Sequence, residues 1–196
     1  MTKLYYQGHG SFRITAADRR VVYVDPSMGG GYDLPADIIL VSHQHGDHNQ
    51  VALCPQKPGC RIVTNEEALA GGAHQTFDFG GIIVEAVEAG NTKHDPQKCV
   101  GYILTVDGVT VYASGDTSKT AQMETFAARE LDYALFCCDG VYNMGLDEAA
   151  ECAAIVGAKH NIPIHMQPGA LFDRDKAAQW SVPNKCVLVP GETLAL

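Results

Sequence analysis

Residues 38–48 read IILVSHQHGDH, and this stretch decides how the rest of the sequence is interpreted. Its four apolar residues predict a buried strand. Four side chains that can bind a metal follow within six residues: His43, His45, Asp47 and His48. The first two histidines project to the same side of extended backbone, and Gly46 permits a tight turn that brings the other two ligands back toward them. Surface histidines in a polar loop are the alternative, which an H-x-H-x-D-H pattern at a strand end disfavours.

The chemistry of these ligands limits the choice of metal. Imidazole nitrogen and carboxylate oxygen suit Zn²⁺, Mn²⁺ or iron, with zinc the first expectation. Thiolates are missing from the motif, which argues against a structural zinc site of the cysteine type. We therefore expect a centre holding one or two divalent metal ions at the end of this strand.

A centre with two metals needs more ligands than this loop supplies, and three further candidates follow predicted strands. They are His94, Asp116 and His165. Asp116 precedes Thr117 and Ser118, so a helix N-cap is its alternative role. His165 by itself is equally compatible with a buried histidine of the core.

Short runs rich in Val, Ile, Tyr and Phe, separated by Gly and Pro, predict a chain of strands. The predicted strands are Leu4–Tyr6, Ser11–Thr15, Val21–Val24, Asp37–Val41, Arg61–Thr64, Gln75–Phe79, Gly81–Glu88, Val100–Val106, Val109–Ala113, Tyr133–Cys137, Asn161–His165 and Cys186–Val189. The predicted helices are Lys119–Arg129, Leu146–Val156 and Arg174–Trp180. Alternating strands and helices predict a layered α/β fold, and the lack of a linker or repeat predicts one domain over residues 1–196.

The composition excludes several classes of protein. The chain has 196 residues, 46% of them hydrophobic, and a net charge of −9, which disfavours binding to nucleic acid. No stretch approaches the roughly 18 apolar residues of a membrane span, and no secretory signal is visible at the N-terminus. Seven cysteines without a C-x-x-C pair predict buried free thiols in a reducing cytoplasm. The oligomeric state leaves no mark in the sequence.

Beyond these patterns, the sequence resembles the metallo-β-lactamase superfamily, within it the L-ascorbate-6-phosphate-lactonase-like branch of small metal-dependent hydrolases. The resemblance covers nearly the whole chain. The matching segments are Gly8–Phe12, Val24–Pro26, His43–His48, Gly115–Thr117, Gly140–Met144 and Ile162–His165. It implies an αβ/βα four-layer sandwich of two mixed sheets with outer helices and a metal cleft at one edge.

The resemblance also implies a ligand set. The first metal would be held by His43, His45 and His94, and the second by Asp47, His48 and His165, with Asp116 between them. His74 is the alternative third ligand, but it precedes a predicted strand and looks like a surface residue. A hydroxide between the two metals would be the nucleophile, acting on a carbonyl carbon or on phosphorus.

Four other residues receive roles from the same resemblance. Asp25 would accept a hydrogen bond from a ligand histidine, and with Asp47 and His48 it completes the predicted catalytic set; its alternative is an Asp-Pro turn. His9, Tyr142 and Asn143 lie in loops that resemble the borders of the cleft and would orient a polar substrate. Ordinary turn and capping chemistry is the alternative for these three.

The leading functional interpretation is a hydrolase of a small polar substrate, such as a lactone, an ester or a sugar phosphate. A phosphodiesterase or nuclease of the same superfamily is an alternative, although the 14 lysines and arginines are scattered. An iron-dependent redox enzyme would share the ligand set. A metal-containing binding or sensor module is the non-enzymatic alternative, which a seven-ligand set with room for water disfavours.

Overall fold

The computed structural model describes all 196 residues and contains two six-stranded sheets. The strands in chain order are β1 (Lys3–Gly8), β2 (Ser11–Thr15), β3 (Val21–Val24), β4 (Ala36–Leu40), β5 (Gln56–Val63), β6 (Thr76–Asp78), β7 (Ile83–Glu88), β8 (Val100–Val106), β9 (Val109–Ala113), β10 (Tyr133–Cys137), β11 (His160–Ile164) and β12 (Thr193–Ala195). The first sheet has the order β12-β1-β2-β3-β4-β5, and the second has the order β11-β10-β9-β8-β7-β6. The predicted α/β sandwich of two mixed sheets is confirmed.

Each sheet contains three consecutive parallel strands. They are β3, β4 and β5 in the first sheet and β9, β10 and β11 in the second. The carboxyl ends of parallel strands meet at one edge of a sheet, where ligands bind in open α/β sheets. Loops that follow these strands therefore bring side chains from distant parts of the chain together.

The main core lies between the two sheets. In β8, Val100, Tyr102 and Leu104 join this core, whereas Ile103 points to the opposite face of the second sheet. This alternation follows from the two-residue period of a strand, and both faces of β8 are apolar because both are covered.

The two outer faces are covered differently. The helices are α1 (Asn65–Ala68), α2 (Leu146–Val156) and α3 (Arg174–Gln179), with short 3₁₀ segments between strands. Apolar residues of α2 and α3 pack on the second sheet, together with the fully buried Trp180. The outer face of the first sheet, around Tyr23 and Ile39, is covered mainly by irregular segments. None of the helices has the length and apolar character that crossing a membrane requires.

Two predicted elements are wrong. Residues 119–129 form two 3₁₀ segments, Ala121–Thr125 and Ala127–Arg129, instead of one α-helix. The buried residues of this region are Met123 and Phe126. Their separation of three residues matches the three-residue turn of a 3₁₀ helix, which places both on one face.

The predicted strand Cys186–Val189 is also absent, and the last strand is β12, which pairs with β1. Lys185 forms one parallel bridge with Asn161, and Cys186 N–H donates to the Asn161 carbonyl at 2.8 Å. The next donor along β11 would be Pro163, which has no N–H, so the ladder stops after one bridge.

Candidate metal centre

All seven side chains that the sequence predicts as metal ligands lie at one edge of the two sheets. Three overlapping groups form there, and within each group the potential ligand atoms lie within 4.8 Å of one another. One of them, which contains His43, His48 and Asp116, shares a histidine with each of the other two. The first group contains His43, His45 and His94. The second contains Asp47, His48 and His165, and a fourth member that was predicted to bind substrate, His9.

Asp116 lies between the two groups, and its two oxygens face in different directions. Oδ2 is 3.2 Å from His94 Nε2, in the first group. Oδ1 is 3.3 Å from His48 Nε2, in the second group. Burial by itself would raise the pKa of Asp116, but the surrounding His48 and His94 hold this pKa well below its usual range. The carboxylate is therefore charged and faces both groups at once.

Asp25 organises the histidines that follow β4. Its Oδ2 lies 2.9 Å from His48 Nδ1 and accepts from the Ser42 hydroxyl at 2.6 Å. Ser42 Oγ in turn lies 3.0 Å from His43 Nδ1. Because a carboxylate only accepts, His48 Nδ1 carries the hydrogen and its Nε2 points toward Asp116. This geometry supports the positioning role predicted for Asp25.

His94 and His165 are held in the same way from other elements. His94 Nδ1 lies 3.2 Å from Asn91 Oδ1, and His165 Nδ1 lies 3.1 Å from Asp139 Oδ2. Burial opposes a charge on His165, yet its contacts with Asp139 and Asp47 raise the pKa of this histidine to about 10. Three ring Nδ1 atoms are thus hydrogen-bonded from outside, and that of His165 lies beside the Asp139 carboxylate, which leaves four Nε2 atoms directed inward.

The inward atoms fit a metal. Buried atoms without any hydrogen-bond partner include Nε2 of His43, His48 and His165 and Oδ1 of Asp116. A buried polar atom without a partner is costly, and four of them at one point need an explanation. Burial, with the neighbouring His48, also lowers the pKa of His43 to about 3, so this ring is neutral and free to donate a lone pair. Imidazole nitrogens around a carboxylate form a donor set that binds divalent transition metals.

The structure distinguishes the two histidines considered as the third ligand of the first metal. His94 is buried within the first group, whereas His74 is exposed and belongs to neither group.

Tyr142 is half exposed and lines a cavity of about 430 Å³ that contains Asp116 and His165. Asn143 does not line this cavity, because it is buried and its amide donates to Asp139 Oδ2 at 2.9 Å.

Comparison with known proteins identifies the family. A model of the beta-lactamase superfamily domain matches residues 3–165. This chain belongs to the beta-lactamase superfamily. The superfamily prediction is therefore confirmed, while the lactonase-like branch stays a prediction.

Relatives within the beta-lactamase superfamily resemble the chain over its whole length. A UPF0173 metal-dependent hydrolase from Pyrococcus furiosus is 29% identical and is aligned over 100% of both chains. The crystal structure of a putative metal-dependent hydrolase from Parabacteroides distasonis has a TM-score of 0.76 and 27% identity, covering 95% of this chain and 92% of that one. Igni18, a metallo hydrolase from Ignicoccus hospitalis, shares the fold with a TM-score of 0.75 and 20% identity, over 98% and 97% of the two chains. The names of the first two agree with the predicted metal-dependent hydrolase.

Asp139 is a residue of the centre that the sequence patterns did not predict. This residue follows β10 at the same edge as Asp116 and His165, so the rule that selected those two also applies to it. Asp139 contacts His165 through Oδ2, and its Oδ1 accepts hydrogen bonds from the backbone N–H groups of Val141 and Tyr142 at 2.6 and 2.7 Å. It therefore ties the loop that carries Tyr142 to a candidate ligand.

Replacing Asp139 with Asn tests this positioning role. The amide keeps the size of the side chain but removes the charge that orients His165, so we expect zinc affinity to fall by roughly 10–100-fold. Titration with Zn²⁺ in a competing chelator measures this. Asp132→Asn is the matched control, because Asp132 precedes the same strand at its opposite end, where it contacts Thr110 and Lys159. Equal zinc affinity in the two variants would contradict the role of Asp139.

Proposed function

We propose that this protein is a hydrolase with a two-metal centre acting on a small polar substrate. The observation that supports it best is Asp116, whose two oxygens separately face the two groups of histidines at 3.2 and 3.3 Å. A carboxylate in that position can contribute one oxygen to each of two cations. A single-metal site would leave one of the two groups without a function.

The proposed roles of the side chains follow from their positions. His43, His45 and His94 would hold the first cation, and Asp47, His48 and His165 the second, with Asp116 shared. When bound, the cations would lower the pKa of a water and polarise an oxygen of the substrate. Asp25, Ser42, Asn91 and Asp139 keep the ring nitrogens directed at the cations by fixing the opposite side of each ring.

The surroundings of the centre support a small polar substrate. Beside the cavity that contains Asp116 lies a second cavity of about 760 Å³, and both are lined by His45, Lys93 and His94. The polar residues of the second cavity include Gln44, Asn65, Gln97 and Lys98. These volumes fall in the range of about 300–1,000 Å³ that is typical of small-molecule sites. Lysines and amides suit a lactone, an ester or a phosphate ester that carries a negative group or hydroxyls.

A substrate panel tests the proposed function. Purified protein is freed of metal, reloaded with Zn²⁺, Mn²⁺ or Fe²⁺, and assayed with lactones, carboxylic esters, sugar phosphates and phosphodiesters. We expect hydrolysis of a lactone, ester or sugar phosphate that requires the metal. In H₂¹⁸O, one solvent oxygen should enter the product in a single turnover. Full activity of the metal-free protein would overturn the proposal.

Alkylation of thiols is expected to leave activity unchanged. Cys99 lines the larger cavity and is the thiol that a covalent mechanism would use, but burial raises its pKa to about 12, so little thiolate forms at neutral pH. All seven cysteines are free. Turnover after treatment with iodoacetamide, and turnover of Cys99→Ala, measure the effect. Loss of activity in both experiments, with the fold intact by circular dichroism, would indicate a thiol nucleophile instead.

A further inference from the structure

We propose that His9 is a ligand of the second metal position, alongside Asp47, His48 and His165. This assignment replaces the role in substrate binding that the sequence predicts for His9, and it rests on the proposed function. His9 Nε2 lies 3.2 Å from Asp47 Oδ2, and His165 Nε2 lies 3.5 Å from the same oxygen. Two ring nitrogens from different ends of the chain thus converge on one carboxylate oxygen.

The backbone around His9 is held in an unusual conformation that aims its ring at this point. His9 has a φ of 55°, in the left-handed region, and its side chain is fully buried. Its N–H donates to the Leu171 carbonyl at 2.6 Å, and its carbonyl accepts from His165 N–H and from the Tyr6 hydroxyl, both at 2.8 Å. Non-glycine residues with positive φ persist where the surrounding contacts over-determine them, and such sites are often functional.

The hydrogen bonds of the ring leave Nε2 available for a metal. His9 Nδ1 lies 2.9 Å from the Ala170 carbonyl, which can only accept, so Nδ1 carries the hydrogen. In the neutral ring, Nε2 then presents a lone pair to Asp47 Oδ2, which is also an acceptor. Two acceptors 3.2 Å apart need a cation at this point, either a proton on the ring or a metal ion. His48 and His165 are built alike, with Nδ1 fixed from outside and Nε2 facing inward.

The rings of His9, His48 and His165 lie close together, and the residue that follows His9 has no side chain. The rings of His9 and His165 have centroids 3.7 Å apart. The next residue is Gly10, where an added Cβ would lie 3.2 Å from Cε1 of His48 and 3.6 Å from Cδ2 of His165. A contact of 3.2 Å is tighter than side chains normally make, so glycine at this position allows the three rings to lie close together.

This assignment makes the two positions unequal. The second position would have three imidazoles and the carboxylates of Asp47 and Asp116, against three imidazoles and Asp116 at the first. Nitrogen-rich sites favour zinc, iron or cobalt over manganese and magnesium. With three imidazoles at each position, we therefore expect both positions to retain Zn²⁺ in preference to Mn²⁺.

Cadmium NMR tests the assignment with the metal alone. Protein labelled with ¹⁵N-histidine is loaded with two equivalents of ¹¹³Cd²⁺, and one-bond couplings between cadmium and ring nitrogens identify the ligands. We expect a coupling from one cadmium to His9 Nε2. His9→Asn, chosen because asparagine tolerates positive φ, should lose this coupling and bind the second equivalent more weakly, by at least the roughly 10–100-fold that loss of a supporting residue costs.

His160→Asn is the matched control, because His160 is exposed at the start of β11; it should change neither coupling nor affinity. If His9→Asn does not fold, the couplings of the unmodified protein decide the question by themselves. Two bound cadmium ions without a coupling to His9 would overturn this assignment and leave the proposed function standing. Failure of the unmodified protein to bind cadmium would overturn the proposed function itself.

Discussion

Asp116→Asn is expected to remove most of the bound metal and nearly all activity. The amide has one oxygen and one NH₂ group in place of two carboxylate oxygens, so it cannot serve both groups of histidines. Loss of a residue that only supports a ligand costs about 10–100-fold at metal sites, and loss of a shared ligand should cost more. Elemental analysis of the purified variant and turnover on the best substrate of the panel measure both effects.

The control for Asp116→Asn is again Asp132→Asn. Asp132 precedes a strand of the same sheet and accepts hydrogen bonds from Thr110, and it is remote from the candidate ligands. This control should keep its metal and its turnover, so a general effect of removing an aspartate would be recognised. Asp116→Asn protein with two equivalents of metal and full turnover would show that the centre is assigned wrongly.

His94→Ala is expected to lower metal content and turnover as strongly as the loss of any other ligand, whereas His74→Ala should change neither. The two histidines are 20 residues apart in the same half of the chain. His94 Nε2 lies 3.2 Å from Asp116 and completes the group with His43 and His45. Removing its ring leaves the first position with two nitrogens and the shared Asp116, one protein ligand fewer than the four proposed for it, and so weakens metal binding there.

Elemental analysis of bound metal and turnover are measured for both variants, and each variant is the control for the other. A large effect of His74→Ala with none for His94→Ala would mean that the loop between β7 and β8 is placed incorrectly. Both effects being small would mean that the first group is not a metal site. Thermal unfolding of the metal-free variants separates loss of ligand from loss of fold, since His94 is buried and His74 is exposed.

Much of the fold and of the centre could be predicted from local sequence. Strands such as Val100–Val106 and Val109–Ala113 have the predicted bounds, because runs of β-branched and aromatic residues on either side of the turn at Asp107 and Gly108 are a local property. The seven predicted ligands converge because most of them follow strands whose carboxyl ends share an edge. Position along the chain is sufficient for that inference.

Only the tertiary structure decided which partners the side chains of His9 and Asn143 contact. The sequence predicts that His9 contacts substrate, and only the positions of Ala170 and Asp47 beside its ring favour a metal ligand instead. Asn143 was predicted at the substrate because its loop borders the cleft, but its side chain turns inward to Asp139. Side-chain direction depends on contacts between loops far apart in sequence, which local periodicity does not encode.

Pairing between distant strands also explains why the predicted strand Cys186–Val189 does not form. Cys186–Val189 has the composition of a strand, but Pro163 on the neighbouring β11 denies it a ladder, and Thr193–Ala195 pairs with β1 from the other end of the chain. The motifs indicated the family by resemblance, and composition and spacing located most strands and the ligand motif, because these are written in consecutive residues. Pairing partners and ring orientations were decided by packing, because they depend on hydrogen bonds between residues brought together only by the fold.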